Sequence, residues 1–239
     1  QLKRSSTMNI FASSKLRGVL AALLLCASGA AAESAKPLPA PAMDEPRPQT
    51  HGTETAVLSG GCFWGMQGLF EHVKGVRHVI SGYAGGAAGT AQYEEVSTGT
   101  TGHAESVKIE FDPTVVTYGQ ILRVFFSVAH DPTQHNRQGP DSGTQYRSDI
   151  FYASPMQERI ARAYVAQLDR THAFDEQIAT RVDKFSGFYP AEAYHQDYLI
   201  HNPDSLYIVI NDLPKIANLK AIYPQYYSDQ PARFAANRP

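Results

Sequence analysis

Cys62 is the residue of this sequence with the clearest potential for chemistry, since residues 60–65 read Gly-Gly-Cys-Phe-Trp-Gly. Residues 54–59 have the composition of a short strand, and apolar side chains recur at helical spacing after the cysteine. The sulfur is therefore expected on a turn before the first turn of a helix, where free N–H groups and the helix dipole favour a thiolate. The aromatic pair that follows predicts a soft, partly apolar substrate.

A lone cysteine is more often a small buried hydrophobic residue than a catalytic group. Packing does not require glycine on both sides of a thiol, however, and glycine opens the backbone to an incoming ligand. The other cysteine, Cys26, lies in a segment that we expect to be removed on export. Cys62 would then be the only thiol of the mature chain, and we predict that it is catalytic.

A thiolate nucleophile needs a proton donor, and Glu105 is a candidate. It follows a long loop rich in glycine and threonine (residues 82–102) and lies at the start of a predicted strand at residues 104–111. The more common role of a single Glu is a solvated strand end. Beside an aromatic-lined thiol pocket it would be partly desolvated, so that its pKa would rise and it could hold a proton near neutral pH.

Other polar candidates lie at loop and strand edges. Tyr93 is in the long loop, and Asp141 and Tyr146 bound the polar run Asp-Ser-Gly-Thr-Gln-Tyr at the start of another predicted strand. The chain has 13 tyrosines, so a single one is more often a packing or surface ring. Their positions, rather than their residue type, favour a role in the site.

Length and composition favour one substantial domain. An apolar content of 43% is ordinary for a globular protein, and a net charge of -2 gives no electrostatic argument for binding nucleic acid or a membrane surface. We expect a monomer with no bound cofactor. Nine histidines and one mature cysteine show no close ligand pair with the usual spacing, so no metal site is predicted.

The N-terminal region has the pattern of a bacterial export signal. A basic stretch after Met8 is followed by a short Leu- and Ala-rich core and by small residues at the expected cleavage site. The core is too short to span a membrane, and Leu25 before Cys26 disfavours a lipid anchor. We therefore predict a periplasmic or secreted protein without membrane attachment after cleavage. The expected organisation is a non-native start (1–7), a signal peptide (8–32), a proline-rich linker outside the core (33–50), a catalytic domain (51–228) and a frayed tail (229–239).

Strand and helix patterns alternate along the domain, with at least one adjacent strand pair. This order predicts an α/β (α+β) fold, a two-layer sandwich with a mixed or antiparallel sheet. The apolar run at residues 206–210 is compatible with a strand or a helix. Strands are predicted at 54–59, 76–83, 104–111, 146–153 and 180–185, and helices after Cys62, at 117–128 and at 155–171.

Several motifs, in this order, resemble those of A-type peptide methionine sulfoxide reductases. The resemblance covers residues 53–199 and implies a ferredoxin-like core and a thiol reductase for the S epimer of methionine sulfoxide, free or in proteins. The runs that carry it are Gly-Cys-Phe-Trp-Gly (61–65), Tyr93, Gly-His-Ala-Glu (102–105), His-Asp-Pro (130–132), Gly-Thr-Gln-Tyr-Arg-Ser (143–148) and Phe-Tyr-Pro-Ala-Glu (188–192).

The resemblance also implies roles for matching residues. Cys62 would attack the sulfoxide sulfur and become a sulfenic acid, while Glu105 would protonate the sulfoxide oxygen with help from Tyr93 and Tyr146. The substrate-binding residues that it implies are Phe63 and Trp64, which would hold the methyl group, together with Asp141, Gly61 and His103.

One departure from many relatives concerns the return of Cys62 to the thiol. Family members often carry further cysteines near the C-terminus, whereas this chain has none after Cys62. An internal disulfide relay in the mature chain is therefore impossible. We expect an external thiol, either a thioredoxin-like protein or a small thiol, to reduce the sulfenic acid.

Two other functions are compatible with a lone thiol. A cysteine hydrolase would use His103, His130 or His195 as a base within hydrogen-bond reach of the sulfur, and would not need a carboxyl donor. An exported binding module would hold Cys62 as an inert core residue. The reactivity of Cys62 and the effect of replacing Glu105 distinguish these alternatives.

Overall fold

The computed structural model describes residues 35–234. The predicted signal peptide, Cys26 and the last five residues of the predicted tail lie outside the described residues. Among the helices of residues 35–234, none combines the length and apolar character needed to cross a membrane. The described strands are β1 (Glu54–Gly60), β2 (Val76–Ala84), β3 (Ala104–Phe111), β4 (Arg137–Gln138), β5 (Asp141–Ser142), β6 (Ser148–Tyr152), β7 (Arg181–Lys184) and β8 (Phe188–Pro190).

The helices begin and end where local signals place them. Thr117 and Gln120 form a reciprocal capping box at the start of one helix, and the Ser154 side chain caps another. Two π-helical turns, Phe125–Ala129 and Ile208–Asp212, adjoin regular helices. The α-helices are α1 (Phe63–Glu71), α2 (Tyr93–Val96), α3 (Tyr118–Val124), α4 (Pro155–Arg170), α5 (Tyr198–His201) and α6 (Leu213–Ile222).

Six strands form one sheet in the order β7-β6-β1-β3-β2-β8. Neighbouring strands are antiparallel except for the parallel pair β6 and β7. The chain order β1-α1-β2-β3-α3-β6, with the sheet order β6-β1-β3-β2, is the ferredoxin-like arrangement of two split βαβ units. The predicted fold class is therefore confirmed.

The side chains of the central strands divide between the two faces of the sheet. Leu58 of β1 pairs with Val107 of β3, and both lie in the main core under the helices. Val57, the neighbour of Leu58, points to the opposite face and packs with Phe151 in a small separate cluster. The helices and the sheet thus form the two predicted layers, with most of the core between them.

Residues 35–47 contact the domain, which the prediction of a linker outside the core did not include. Leu38 is only 3% exposed, and its N–H donates to the Tyr223 hydroxyl at 2.9 Å. The Asp44 carboxylate accepts a hydrogen bond from the Gly119 N–H at 2.9 Å. The segment has no helix or strand, as its prolines predict, but proline leaves carbonyl groups and neighbouring side chains available for packing.

The C-terminal part of the domain also differs from the predictions. The undecided run at residues 206–210 is helical and leads into α6, which the sequence patterns did not reveal. Part of the predicted frayed tail is held in place, since the Ala232 N–H donates to the Glu71 carbonyl at 2.8 Å and the Phe234 N–H donates to Asp197 at 3.0 Å. Strand β8 and helix α5 were likewise not predicted.

Candidate active site

Cys62 occupies the turn between β1 and α1, at the N-cap position of the helix. Gly61 before it has a φ of 92°, a conformation that favours glycine. A Cβ at Gly61 would lie 2.6 Å from the Gln138 side chain, so the close approach of these two residues also requires glycine. The turn therefore fixes the sulfur at the start of the helix, as the sequence predicted.

The first N–H groups of α1 serve two different residues of the site. The Phe63 N–H donates to Oε2 of Glu105 at 3.0 Å. The Trp64 backbone N–H acts on the Cys62 thiol and lowers its pKa. Glu105 reaches this position because it lies on β3 on the same face as Val107, which points toward the helices. One helix terminus thus holds the cysteine and the carboxyl group together.

Glu105 carries a proton at neutral pH in this environment. Burial raises the pKa of its carboxyl group to about 8, and the charges of Asp141 and Asp212 act in the same direction. The hydrogen bond from the Phe63 N–H opposes this rise without cancelling it. The arrangement therefore provides a neutral acid, as expected for a carboxyl group beside a thiol pocket.

Cys62 differs from the expectation of a thiolate. Burial raises the pKa of its thiol well above the ordinary value. Glu105, once it ionises above about pH 8, and Asp212 add to the effect through their negative charges. The Trp64 N–H lowers the pKa, but a single hydrogen bond does not offset the loss of hydration and the repulsion. The sulfur is therefore a thiol at neutral pH in this arrangement.

Tyr93 and Tyr146 lie around this pair of groups. Tyr93 begins α2, and Tyr146 ends a short helical turn before β6. Burial raises the pKa of both phenols, and Glu105 and Cys62 raise it further once they are ionised. Both hydroxyl groups therefore remain protonated at neutral pH and can donate hydrogen bonds near the thiol and the carboxyl group.

Trp64 forms the partly exposed aromatic side of the site. Its ring stacks on Tyr198 with centroids 3.7 Å apart, and Tyr207 meets it edge-on at 5.9 Å. The indole N–H donates to Nδ1 of His195 at 3.1 Å, which fixes the orientation of the ring. Phe63 is more deeply placed, being 1% exposed, with its ring 5.0 Å from that of His195.

Asp141 and His103 occupy different surroundings. Asp141 accepts a hydrogen bond from the Tyr207 hydroxyl, and burial raises the pKa of its carboxyl group. The His103 ring instead bonds to the backbone of a neighbouring loop, accepting from the Gly86 N–H at 3.2 Å and donating to the Ala87 carbonyl at 2.9 Å. His103 therefore supports the loop, and its ring is not positioned as a substrate contact.

Four residues of the site were not predicted from the sequence. Tyr198 and Tyr207 complete the aromatic wall, while Asp212 and Lys215 form a buried ion pair, 3.5 Å apart, on the segment that covers α1. Tyr207 lies within the run at residues 206–210, which was noted only for its apolar character, and Asp212 follows that run. Tyr207, the single aromatic residue of the run, was the only local signal.

The three histidines that a hydrolase would use have other partners. Nε2 of His130 pairs with the Ser148 hydroxyl at 2.7 Å, and burial lowers the pKa of its ring to about 3. His103 and His195 have the bonds described above. Within residues 35–234 none of the three is hydrogen-bonded to Cys62, so the hydrolase alternative has no structural support. The same residues contain no group of three or more potential metal ligands.

The domain combines a ferredoxin-like fold with a cysteine and a neutral carboxyl group at one helix terminus. This arrangement is that of an enzyme in which a thiol and a carboxylic acid act together. Residues 54–226 match the family described as peptide methionine sulfoxide reductase. The chain therefore belongs to the peptide methionine sulfoxide reductase family, as its motifs predicted. It is an oxidoreductase of the A-type class.

The similar proteins cover most of the domain. The peptide methionine sulfoxide reductase MsrA 2 of Mesorhizobium japonicum is 59% identical over 75% of this chain and 92% of its own length. The MsrA 2 of Synechocystis sp. is 53% identical over 75% of this chain and 82% of its own length. The structure of methionine sulfoxide reductase A of Corynebacterium diphtheriae has a TM-score of 0.58 and 36% identity, over 71% of this chain and 89% of that one.

Proposed function

We propose that this protein reduces the S epimer of methionine sulfoxide, free or in proteins, with Cys62 as the nucleophile and Glu105 as the acid. The observation that carries the proposal is the shared helix terminus, where the Phe63 N–H holds Oε2 of Glu105 directly after Cys62, the N-cap residue of α1. This places a neutral carboxyl group beside the only cysteine of residues 35–234.

The reaction follows from the properties of the sulfoxide. Its oxygen is a poor leaving group until it is protonated, so attack by Cys62 on the sulfoxide sulfur is coupled to proton transfer from Glu105. A bond forms between the two sulfur atoms, and the oxygen then moves to Cys62 as that bond breaks. The products are methionine and a Cys62 sulfenic acid, so the substrate is reduced by two electrons and the cysteine is oxidised by two.

Proton balance is maintained by the same groups. The thiol proton of Cys62 must leave as the new bond forms, and Glu105 regains a proton after it donates its own to the oxygen. The hydroxyl groups of Tyr93 and Tyr146 stabilise the developing charge on that oxygen by hydrogen bonding. Protonated phenols are suited to this role because they donate without adding a negative charge to the site.

The aromatic residues provide binding for the thioether part of the substrate. Trp64 is held by its stack on Tyr198 and its hydrogen bond to His195, so its face is presented without loss of side-chain entropy on binding. Asp141, with its bond from Tyr207, is available for the polar backbone next to the sulfoxide. These contacts would involve a single methionine sulfoxide residue, so they are compatible with the free amino acid and with the same residue in a protein.

We expect an external thiol to reduce the sulfenic acid, because Cys62 is the only cysteine of residues 35–234. A thiol attacks the Cys62 sulfur, water leaves, and a mixed disulfide forms; a second thiol then releases Cys62. A thioredoxin-like protein, which carries two thiols, or a small thiol in excess can perform both steps. The support for this proposal is the absence of cysteine after position 62.

Export to the bacterial periplasm, as a monomer, completes the proposal and would assign the enzyme to the repair of exported proteins. Its support is the basic and apolar pattern of residues 8–32, which lies outside the described residues. Cell fractionation of the full chain tests it, because a cytoplasmic protein with residues 8–32 intact would contradict export.

A stereospecific assay tests the proposed activity. The protein is supplied with each epimer of a methionine sulfoxide peptide and with a dithiol, and methionine formation is measured for the wild type and for Cys62→Ser. We expect turnover of the S epimer by the wild type only. Equal turnover of both epimers, or activity that survives Cys62→Ser, would contradict the proposal.

A further inference from the structure

The segment Ile208–Asp212 and helix α6 pack against α1, the helix that begins beside Cys62. Asp212 is fully buried there, and its carboxylate lies against Gly65 in the first turn of α1. A Cβ at Gly65 would lie 2.0 Å from Oδ1 of Asp212, so only glycine permits this approach. The sequence thus leaves room for a buried carboxylate close to the nucleophile.

Lys215 is the cationic partner of this carboxylate. Its Nζ atom lies 3.5 Å from Oδ1 of Asp212, and its side chain is only 8% exposed. Its charge also limits the rise in the pKa of Asp141, which faces the site from β5. The C-terminal segment therefore places one negative and one positive group beside the thiol and the acid.

Other ionisable groups face the same volume from the remaining elements. The charge of Asp212 contributes to the raised pKa of both Cys62 and Glu105. The groups that interact electrostatically with one another or with the pair Asp212 and Lys215 are Cys62 in the β1–α1 turn, Glu105 on β3, Tyr93 on α2, His130 after the first π-helical turn, Asp141 on β5, Tyr146 before β6, and Tyr207 just before the second π-helical turn.

We propose that Asp212, held by Lys215, is a positioning residue that keeps the protons of Cys62 and Glu105 in place until substrate binds. This inference rests on the proposed roles of those two residues. A fixed negative charge near the helix terminus opposes ionisation of both groups, while Lys215 limits the effect. The acid is thereby kept protonated at neutral pH, and the unoccupied sulfur is kept as a thiol, which reacts slowly with solvent oxidants.

The test compares Asp212→Asn, Lys215→Met and the double variant. The rate of Cys62 alkylation by iodoacetamide is measured against pH in substrate-free protein, and kcat/KM for the S epimer is measured over the same range. Asp212→Asn should move both profiles to lower pH by roughly 1 unit. Lys215→Met should move both to higher pH, and the double variant should return close to the wild type.

The opposite signs distinguish an electrostatic role from a folding defect, because misfolding would not shift the two single variants in opposite directions. Circular dichroism confirms that each variant is folded. Asp229→Asn is the matched control, since it removes one charge from the exposed pair of Lys220 and Asp229 near the same helix. That variant should leave both profiles unchanged.

Two results would overturn the inference. One is an alkylation profile of Asp212→Asn that coincides with the wild type. The other is a shift in the same direction for Asp212→Asn and Lys215→Met. The alkylation measurement needs no substrate, so it judges the role of Asp212 even if the epimer assay were to fail and with it the proposed activity.

Discussion

The Glu105 carboxyl group accepts a hydrogen bond from the backbone N–H of Phe63, the residue directly after Cys62, at 3.0 Å. The acid on β3 is thereby tied to the helix that carries the nucleophile. Its distance from the sulfur consequently depends on the packing of β3 against α1 and not on a mobile loop. The chemistry of the site follows from this hydrogen bond between Glu105 and the start of α1.

Replacing the acid should abolish most of the activity without affecting the fold. Glu105→Gln keeps the shape and the acceptor for the Phe63 N–H but cannot give up a proton. We expect kcat/KM for the S epimer to fall by about 10²–10⁴. Glu110→Gln, on the same strand but paired with Lys108 at the surface, is the control and should retain full activity. Near wild-type turnover by Glu105→Gln would show that another group supplies the proton.

The activity should fall on the alkaline side of neutrality. The pKa of Glu105 is raised to about 8, so the carboxyl group holds its proton below that pH and loses it above. Since kcat/KM reports on the free enzyme, it should decline as the pH passes through about 8. The kcat/KM of Glu105→Gln should be lower throughout and should not show this decline with pH. A decline centred near pH 4–5 would instead indicate a solvated carboxyl group with an ordinary pKa.

The turn before the nucleophile should not tolerate a side chain. Gly61→Ala introduces a Cβ at a φ of 92° and 2.6 Å from Gln138. We expect the free energy of unfolding to fall by about 2 kcal/mol or more, measured by urea denaturation. Gly89→Ala, where an added Cβ meets nothing within 4 Å, should change it by less than about 0.5 kcal/mol. Equal stability of the two variants would show that the turn adapts.

The N-terminal segment should contribute to the stability of the domain. Leu38→Ala removes a side chain that is 3% exposed in the core, so we expect a loss of about 2–5 kcal/mol in the free energy of unfolding. Leu206→Ala is the control because that side chain is 73% exposed. If Leu38→Ala were as stable as the wild type, residues 35–50 would be a free linker after all.

The sequence was sufficient for the parts of the site that lie in short, local motifs. Cys62 on its glycine turn and Glu105 at the start of β3 could be predicted because strand and helix periodicity place them. Their proximity depends on the pairing of β1 with β3, which the ferredoxin-like resemblance supplied. The raised pKa of Cys62 could not be predicted, since it arises from burial and from Asp212, which is distant in the sequence.

The C-terminal contribution to the site was missed for a physical reason. A π-helical turn at Ile208–Asp212 interrupts the 3.6-residue period, so the apolar pattern there indicates neither a regular helix nor a strand. The bond from Tyr207 to Asp141 joins residues 66 positions apart, and no local signal predicts it. The packing of Leu38 was also missed. The proline-rich composition predicts an extended chain but does not show which residues that chain contacts.

Trapping the oxidised cysteine after one turnover tests the central claim most directly. The reduced protein is mixed with one equivalent of the S epimer without reductant, then with dimedone, and Cys62 is examined by mass spectrometry. We predict one methionine released per protein and a dimedone adduct on Cys62, which Glu105→Gln forms far more slowly. Methionine release with an unmodified Cys62 thiol would contradict the account, as would an intramolecular disulfide formed by Cys62.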